Sequence, residues 1–267
     1  MPAFYAHKLF SERVFACLPT SLQKHLAPNK NAFILGAESP DLLFYYKPLK
    51  KTPTRQKGLD LHLVSAKPFF IHCAEIINAT ADKTQSAEAA YTAGCICHFL
   101  LDNACHPHVY RLEDTGVSHG LIESEFDKHL KRQQGKRVHK NAAKCLTAKH
   151  GVAPAIARIL QVETDEVKRA IKTMNRVNGC FSCPLRSFHA LARIVLKKLH
   201  AYKFESMFLH FTDDAACTGI HPALQTQMEN AIQPAAQTIQ TFFNVINDTA
   251  NPVFDIFDKD YKGETLV

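Results

Sequence analysis

Apolar residues along this chain recur every three or four positions with little two-residue alternation, which is the period of helices packed by one face. The pattern predicts an all-α protein. A first helix is expected from about Tyr5 to Ala16, and a short second one near Leu22 to Leu26 that stops before Pro28. Residues 29 to 58 carry Gly36, Pro40, Pro48 and Pro53 and read as a loop-rich stretch. Pro68 takes the tolerated first-turn position of a helix that runs to about Ala79. A long buried helix follows over 86 to 105, which Pro107 should end or kink, and Ser118 offers the N-cap of the next one. Helical segments near 152 to 161, 165 to 177, 184 to 203 and 222 to 247 come after it. The stretch from Pro252 to Val267 is polar and aromatic with no strong period, and is expected to lie across the surface.

The long helix carries more than a packing face. His98, Asp102 and His106 stand at i, i+4 and i+8, and His119, Glu123 and Asp127 repeat that interval. Residues four apart stack on one side of a helix, so the spacing makes two stripes of metal-ligand side chains. His98 and His106 are then roughly 12 Å apart at Cα, too far to share one ion through metal–nitrogen bonds of about 2 Å. One helix would serve at least two ions, with Asp102 between them and able to bridge, which is the arithmetic of a multinuclear hydrolytic centre. A single His among Ile96, Phe99, Leu100 and Leu101 reads more simply as a hydrogen-bonded core residue. A whole set of imidazoles and carboxylates in such surroundings is costly to desolvate unless its members are paired or hold a cation.

Beyond about residue 150 the helical segments carry apolar stripes but no ligand-like pairs, and no Gly/Ser-rich linker marks a boundary. The expectation is one all-α domain over 1–267, with a metal-site half at about 1–150 and a helical scaffold half at about 151–267. Apolar residues make up 46% of the 267, a globular composition that sets disorder aside. Nine cysteines would suggest disulfides in a small secreted chain, but no basic segment followed by an unbroken apolar run opens the sequence, and no apolar stretch is long enough to span a bilayer. A cytoplasmic protein with free thiols is expected. Cys180 and Cys183 form a lone C-x-x-C, which lacks the second pair a structural metal site needs, while Cys95, Cys97 and Cys105 read as small core residues. The formal charge of +7 is concentrated between Lys128 and Lys140, a run that either attracts anionic headgroups or nucleic acid or is a solvated face. No aromatics interleave it to stack on bases, so nucleic acid is the weaker partner.

Five segments together resemble the zinc-dependent phospholipase C family, whose superfamily also contains secreted phospholipases C and single-strand-specific nucleases. They are M-P-A-F-Y-A-H-K-L-F at the start, L-G-A-E-S-P-D-L-L-F-Y-Y at 35 to 46, G-L-D-L-H at 58 to 62, Y-T-A-G-C-I-C-H-F-L-L-D-N-A-C-H-P at 91 to 107 and S-H-G-L-I-E-S-E-F-D at 118 to 127. The resemblance implies an all-α multi-helix fold in which Asp41, His62, His98 and Asp102 hold one zinc and His106, His119 and Glu123 hold a second. It further implies that His7 binds a third zinc, with Asp102 bridging to the first. Secreted members complete that third site with the amino group of an N-terminal Trp; this chain has no Trp, and an amine at Pro2 would be the substitute. His108 is the alternative to His106, which is preferred because it continues the stripe ahead of Pro107. Asp127 is read either as a group orienting a ligand His or as a surface ion-pair residue, and His72 as a structural His.

The activity so implied is a zinc-dependent phosphodiester hydrolase of phospholipase C type, releasing phosphorylated headgroups from phospholipid through a metal-activated water, with contact to anionic membrane surfaces. Asp41 would be the catalytic residue, both ligand and orienter of the attacking water, in a loop beside Phe44, Tyr45 and Tyr46, which either line a substrate pocket or belong to the core. The alternatives on the same metal core are a nuclease or phosphomonoesterase, or a metal-stabilised helical protein without catalysis.

Overall fold

The computed structural model describes residues 4–144, 146–148, 151–246, 248 and 251–264. The fold is all-α, as the periodicity predicts. Helix α1 spans Phe4–Cys17, α2 Thr20–Leu26, α3 Lys30–Gly36, α4 Pro53–His62, α5 Lys67–Asn78 and α6 Ala87–Glu113. They are followed by α7 at His119–Gln133, α8 at Val152–Leu160, α9 at Thr164–Phe181, α10 at Arg186–Lys198, α11 at Ala215–Thr218 and α12 at His221–Asn244.

Helix α6 is the axis of the molecule: α1, α3, α5, α7, α8 and α12 all pack on it. From Glu88 through Phe99 every residue of it is buried, and the Ser86 side chain caps it by accepting from the Ala89 N–H. The closest approach is between α6 and α3. A Cβ at Gly94 would lie 2.0 Å from the Phe33 carbonyl oxygen, and one at Gly36 would lie 2.0 Å from that of Tyr91. No side chain fits there, so the two glycines let one backbone rest on the other.

Four expectations need correction. The stretch from 29 to 58 is largely helical: Pro28 sits in a 3₁₀ turn over Ala27–Asn29, α3 follows at once, and Asp41–Tyr45 is another 3₁₀ turn. Pro53 opens α4 at its first turn, where a missing N–H costs nothing, and Thr52 caps the helix by accepting from Arg55 N–H. Asp41 is therefore the first residue of a tight helical turn and not a loop residue. Second, Pro107 does not end α6, which continues to Glu113; one lost backbone bond is outweighed by packing on both sides, with His106 and Val109 buried.

The third correction concerns the polar, aromatic tail. Phe254, Phe257 and Tyr261 are fully buried, and the Phe257 ring lies stacked 4.0 Å from that of Phe70. Aromatic spacing of three and four over a short 3₁₀ turn had no helical period long enough to read. The fourth is the basic run, whose cations are not all solvated. Lys128 is wholly buried, its Nζ 2.7 Å from Glu125 Oε1 and 2.9 Å from Asp213 Oδ1, while Lys131 donates to the carbonyls of Val138 and Lys140. Ser118 occupies the N-cap of α7 with extended backbone but makes no side-chain cap bond.

Gly94→Ala should destabilise the protein by about 3 kcal/mol or more, because the new methyl group meets backbone that cannot turn aside. Gly219→Ala, where nothing lies within 4 Å of the added Cβ, should stay within about 0.5 kcal/mol. Urea unfolding of the two variants checks the pair, and equal midpoints would refute the close-packing account.

Candidate metal centre

The three helices on which candidate ligands were read, together with the Asp41 turn and α4, bring those side chains into three groups whose ligand atoms lie within 4.8 Å of one another. Asp41, His62 and His98 form one, His7, His98 and Asp102 a second, and His106, His119 and Glu123 a third. His98 belongs to two groups. An imidazole has one nitrogen to give once the other is engaged, whereas a carboxylate has two oxygens, so Asp102 is the side chain able to serve two ions. Its Oδ1 lies 3.3 Å from His7 Nε2, its Oδ2 3.1 Å from His98 Nε2 and 3.8 Å from His106 Nδ1.

Backbone carbonyls fix the imidazoles. Nδ1 of His98 is 2.9 Å from the Ala37 carbonyl, that of His62 2.7 Å from Gly58, and that of His106 3.0 Å from Tyr261. An Nδ1–H donated to a carbonyl leaves Nε2 as the lone-pair nitrogen, the tautomer a metal ligand needs. His119 is held by a carboxylate instead, with Nδ1 3.0 Å from Glu113 Oε2 and Nε2 3.1 Å from Glu123 Oε1. His7 stacks on His98 with ring centroids 4.3 Å apart.

Without a cation, protons hold these groups together. Burial alone would lower the pKa of His98, but Asp102 overrides it and raises the value to about 9. His119 is likewise raised to about 9 against its burial, by Glu123 and then Glu113. Burial opposes ionisation of Glu123 as well, yet the neighbouring positive charges, His119 among them, bring it down to about 2. Asp41 and Asp102 are held below the usual carboxylate range in the same way, against burial, by the adjacent rings. His7 is lowered by burial and by His98. Asp41, Asp102 and Glu123 are therefore anionic at neutral pH.

The donor set suits zinc: imidazole nitrogens and carboxylate oxygens, converging, with ring orientation fixed from behind. The buried Nδ1 of His7 and Nε2 of His98 lack a well-aligned hydrogen bond, so these nitrogens fit the role of cation ligands. A cavity between the second and third groups is lined by His7, Asp102, His106 and Glu123 and walled by Leu101 and Phe126. The centre is reached from its edges: the His62 and His119 side chains keep 20% and 23% exposure while His98 keeps 1%.

Other candidates fall elsewhere. His108 joins none of the groups found among the described residues, and His72 lies near Glu75 and the Arg158 carbonyl. Asp127 neither orients a ring nor pairs at the surface. Its carboxylate accepts from the N–H groups of Tyr5 and Ala6, satisfying two open donors in the first turn of α1 and so fixing the residue next to them, His7. Pro2 lies outside the described residues. Phe44 stacks on His62 at 5.4 Å and is half-buried, while Tyr45 and Tyr46 are core. Cys180 and Cys183 are free thiols, and Cys95 and Cys97 are buried as expected.

Several partners were not anticipated. Gly58 was findable, since it stands four residues before His62 on one helix. Ala37 and Tyr261 act through backbone oxygen and Glu113 from a half-exposed position, and none of these carries a ligand-like signal in sequence. Glu38 was also passed over; burial, and then Asp41, push its carboxyl well above the usual carboxylate range.

No curated protein and no solved structure matches the chain. A family model described as zinc dependent phospholipase C matches residues 6–173, a span that takes in every residue of the three groups. With that match over more than half of its length, the chain belongs to the zinc-dependent phospholipase C family.

Proposed function

We propose that the protein is a zinc-dependent phosphodiester hydrolase that cleaves phospholipids between the glycerol oxygen and phosphorus, and that His7, Asp41, His62, His98, Asp102, His106, His119 and Glu123 hold two or three zinc ions. The observation that carries this is the convergence of three His/carboxylate groups in which the His62, His98 and His106 imidazoles are held from behind by carbonyls. Zinc bound there supplies a Lewis acid for phosphoryl oxygens and a water acidified toward a pKa of about 7. Asp41 is anionic and half of a 3.0 Å pair with His62, next to the exposed edge of the centre. It accepts a hydrogen bond from the attacking water and sets its direction toward phosphorus. Water adds, the glycerol oxygen departs and takes up a proton, and the products are diacylglycerol and a phosphorylated headgroup. His98 is too deep to meet substrate and acts by holding charge, and Asp102 and Glu123 hold charge along the cavity they line.

The rim around His62 favours a lipid. Leu59 and Leu63 stand one turn apart on α4 and its end with Val64 beside them, all exposed, and Phe44 covers the ring. Apolar side chains left open beside a polar centre suit acyl or glycerol backbone better than a nucleotide. The depth of His98 also favours a second reading, in which the ions only tie helices together and turnover is absent.

Plasma mass spectrometry on protein purified without added metal should find two or three zinc ions per chain, and His98→Ala or Asp102→Ala should lose zinc and abolish turnover. A folded His98→Ala variant with full activity would sink the assignment. Short-chain phosphatidylcholine should be hydrolysed faster than single-stranded DNA; the reverse order points to a nuclease, and silence on both to the scaffold reading. At pH 7, below the values of about 9 for His98 and His119, both rings are protonated in the metal-free protein and must become neutral to ligate. Zinc binding should thus release about two protons and weaken as pH falls, by roughly tenfold per proton per pH unit. Calorimetry in buffers of different ionisation enthalpy measures the count, and release of none would refute the protonated resting state.

A further inference from the structure

Helix α10 is amphipathic, yet none of its residues is fully buried. Its inner side, Phe188, Ala192 and Leu196, is half-covered and seats on the 3₁₀ turn Tyr202–Met207. That turn rests on α7: the Ser124 hydroxyl donates to the Ser206 carbonyl, and Gly120 gives Ser206 and Met207 room to approach, beside His119 and Glu123. The rest of the apolar arc faces outward. Leu191, Val195 and Leu199 line up at intervals of four with exposures of 60%, 44% and 55%, and Ile194 beside them keeps 56%. Leu185 and Tyr202 extend the patch at the two ends.

Charge selects what covers this face. From Pro184 to Phe204 the sequence has no acidic residue. Two of the cations serve the protein itself, since Arg193 pairs with Glu205 at 2.7 Å and Arg186 lies over the Phe211 ring. Lys197 and Lys198 are exposed and have no ionic partner among the described residues. A second copy docked on the same face would bring its own lysines against these, and a neutral protein partner would leave them unanswered. An apolar stripe with cations at its border, lying along one side of a helix, is the composition that settles at the boundary between anionic headgroups and acyl chains. No helix among the described residues is long and apolar enough to cross a membrane, so such contact is made from one side.

We propose that α10 is an interfacial helix that seats the protein on a membrane surface rich in anionic phospholipid, with Leu191, Ile194, Val195 and Leu199 entering the acyl boundary and Lys197 and Lys198 meeting lipid phosphate. The helix lies beyond the span matched by the family, so this surface belongs to this chain's own sequence and does not follow from the hydrolase reading. Mounted on α7 through one turn, it holds the face of the molecule that carries the third ligand group close to the bilayer.

Sedimentation with phosphatidylcholine vesicles, with and without phosphatidylserine, tests this. The protein should bind the anionic vesicles and release them in high salt. Leu191→Asp with Val195→Asp should lower the partition coefficient about tenfold or more, and Lys197→Glu with Lys198→Glu about tenfold on anionic vesicles. Both variants should keep their zinc content, helicity and turnover of a monomeric short-chain substrate, and Lys136→Glu with Arg137→Glu, on the exposed end of the other basic run, should change vesicle binding little. Absent binding by the parent protein, or unchanged binding by the aspartate variant, overturns the proposal. So does a dimer in sedimentation velocity that the aspartate variant dissociates, which would assign the face to a second copy. Because binding is read without turnover, a protein that bound vesicles and hydrolysed nothing would keep this surface and lose only the hydrolase reading.

Discussion

The backbone contact between Gly36 and Gly94 governs the rest of the molecule. With no Cβ on either side, α3 lies against α6 closely enough that the next residue, Ala37, places its carbonyl 2.9 Å from His98 Nδ1. The chain then turns through Asp41–Tyr45, which puts Asp41 opposite His62 while His98 arrives from α6. Three candidate ligands and the tautomer of one of them thus follow from a distance that only glycine permits. The contact is steric, yet its product is electrostatic.

That product is expensive. Three ionised carboxylates, Asp41, Asp102 and Glu123, and several imidazoles occupy an interior that would favour apolar side chains, and ion pairs so placed return little net stability. The fold bears the cost in two ways. The acids sit within about a hydrogen-bond length of imidazole nitrogens, and the outer ring nitrogens of His62, His98 and His106 are held by carbonyls. Asp127 and Lys128, one residue apart on α7, show the same economy at the border, one serving the first turn of α1 and the other Glu125 and Asp213. Such networks hold geometry more than they add stability, and geometry is what a multinuclear centre requires.

Helix type and the ligand stripes were legible because they rest on local spacing: His98, Asp102 and His106, then His119 and Glu123, need only the helical repeat to share a face. Asp41, His62 and His7 are separated in sequence by turns that spacing does not describe, and they came from resemblance. What stayed hidden was backbone chemistry. The carbonyls of Ala37 and Tyr261 could belong to any residue type, so nothing in their side chains marks them. Proline was ambiguous twice, since Pro53 begins a helix where a loop-rich stretch was expected and Pro107, expected to end or kink its helix, is carried inside it. In both cases tertiary contacts decided between two outcomes that proline allows.

The Tyr261 carbonyl reaches back 155 residues to His106, and the same tail wedges Phe254 and Phe257 into the core. Local helices such as α6 and α7 can form while the chain is still emerging from the ribosome, but the ring of His106 has no fixed orientation until the polypeptide has been made as far as its partner. At about 5–20 residues per second, the interval is on the order of ten seconds or more, during which one histidine of the third group is present but unaimed. The geometry of that group is therefore coupled to translation of sequence far downstream. A ligand set that looks compact on two adjacent helices is, in time, among the last parts of the molecule to be completed.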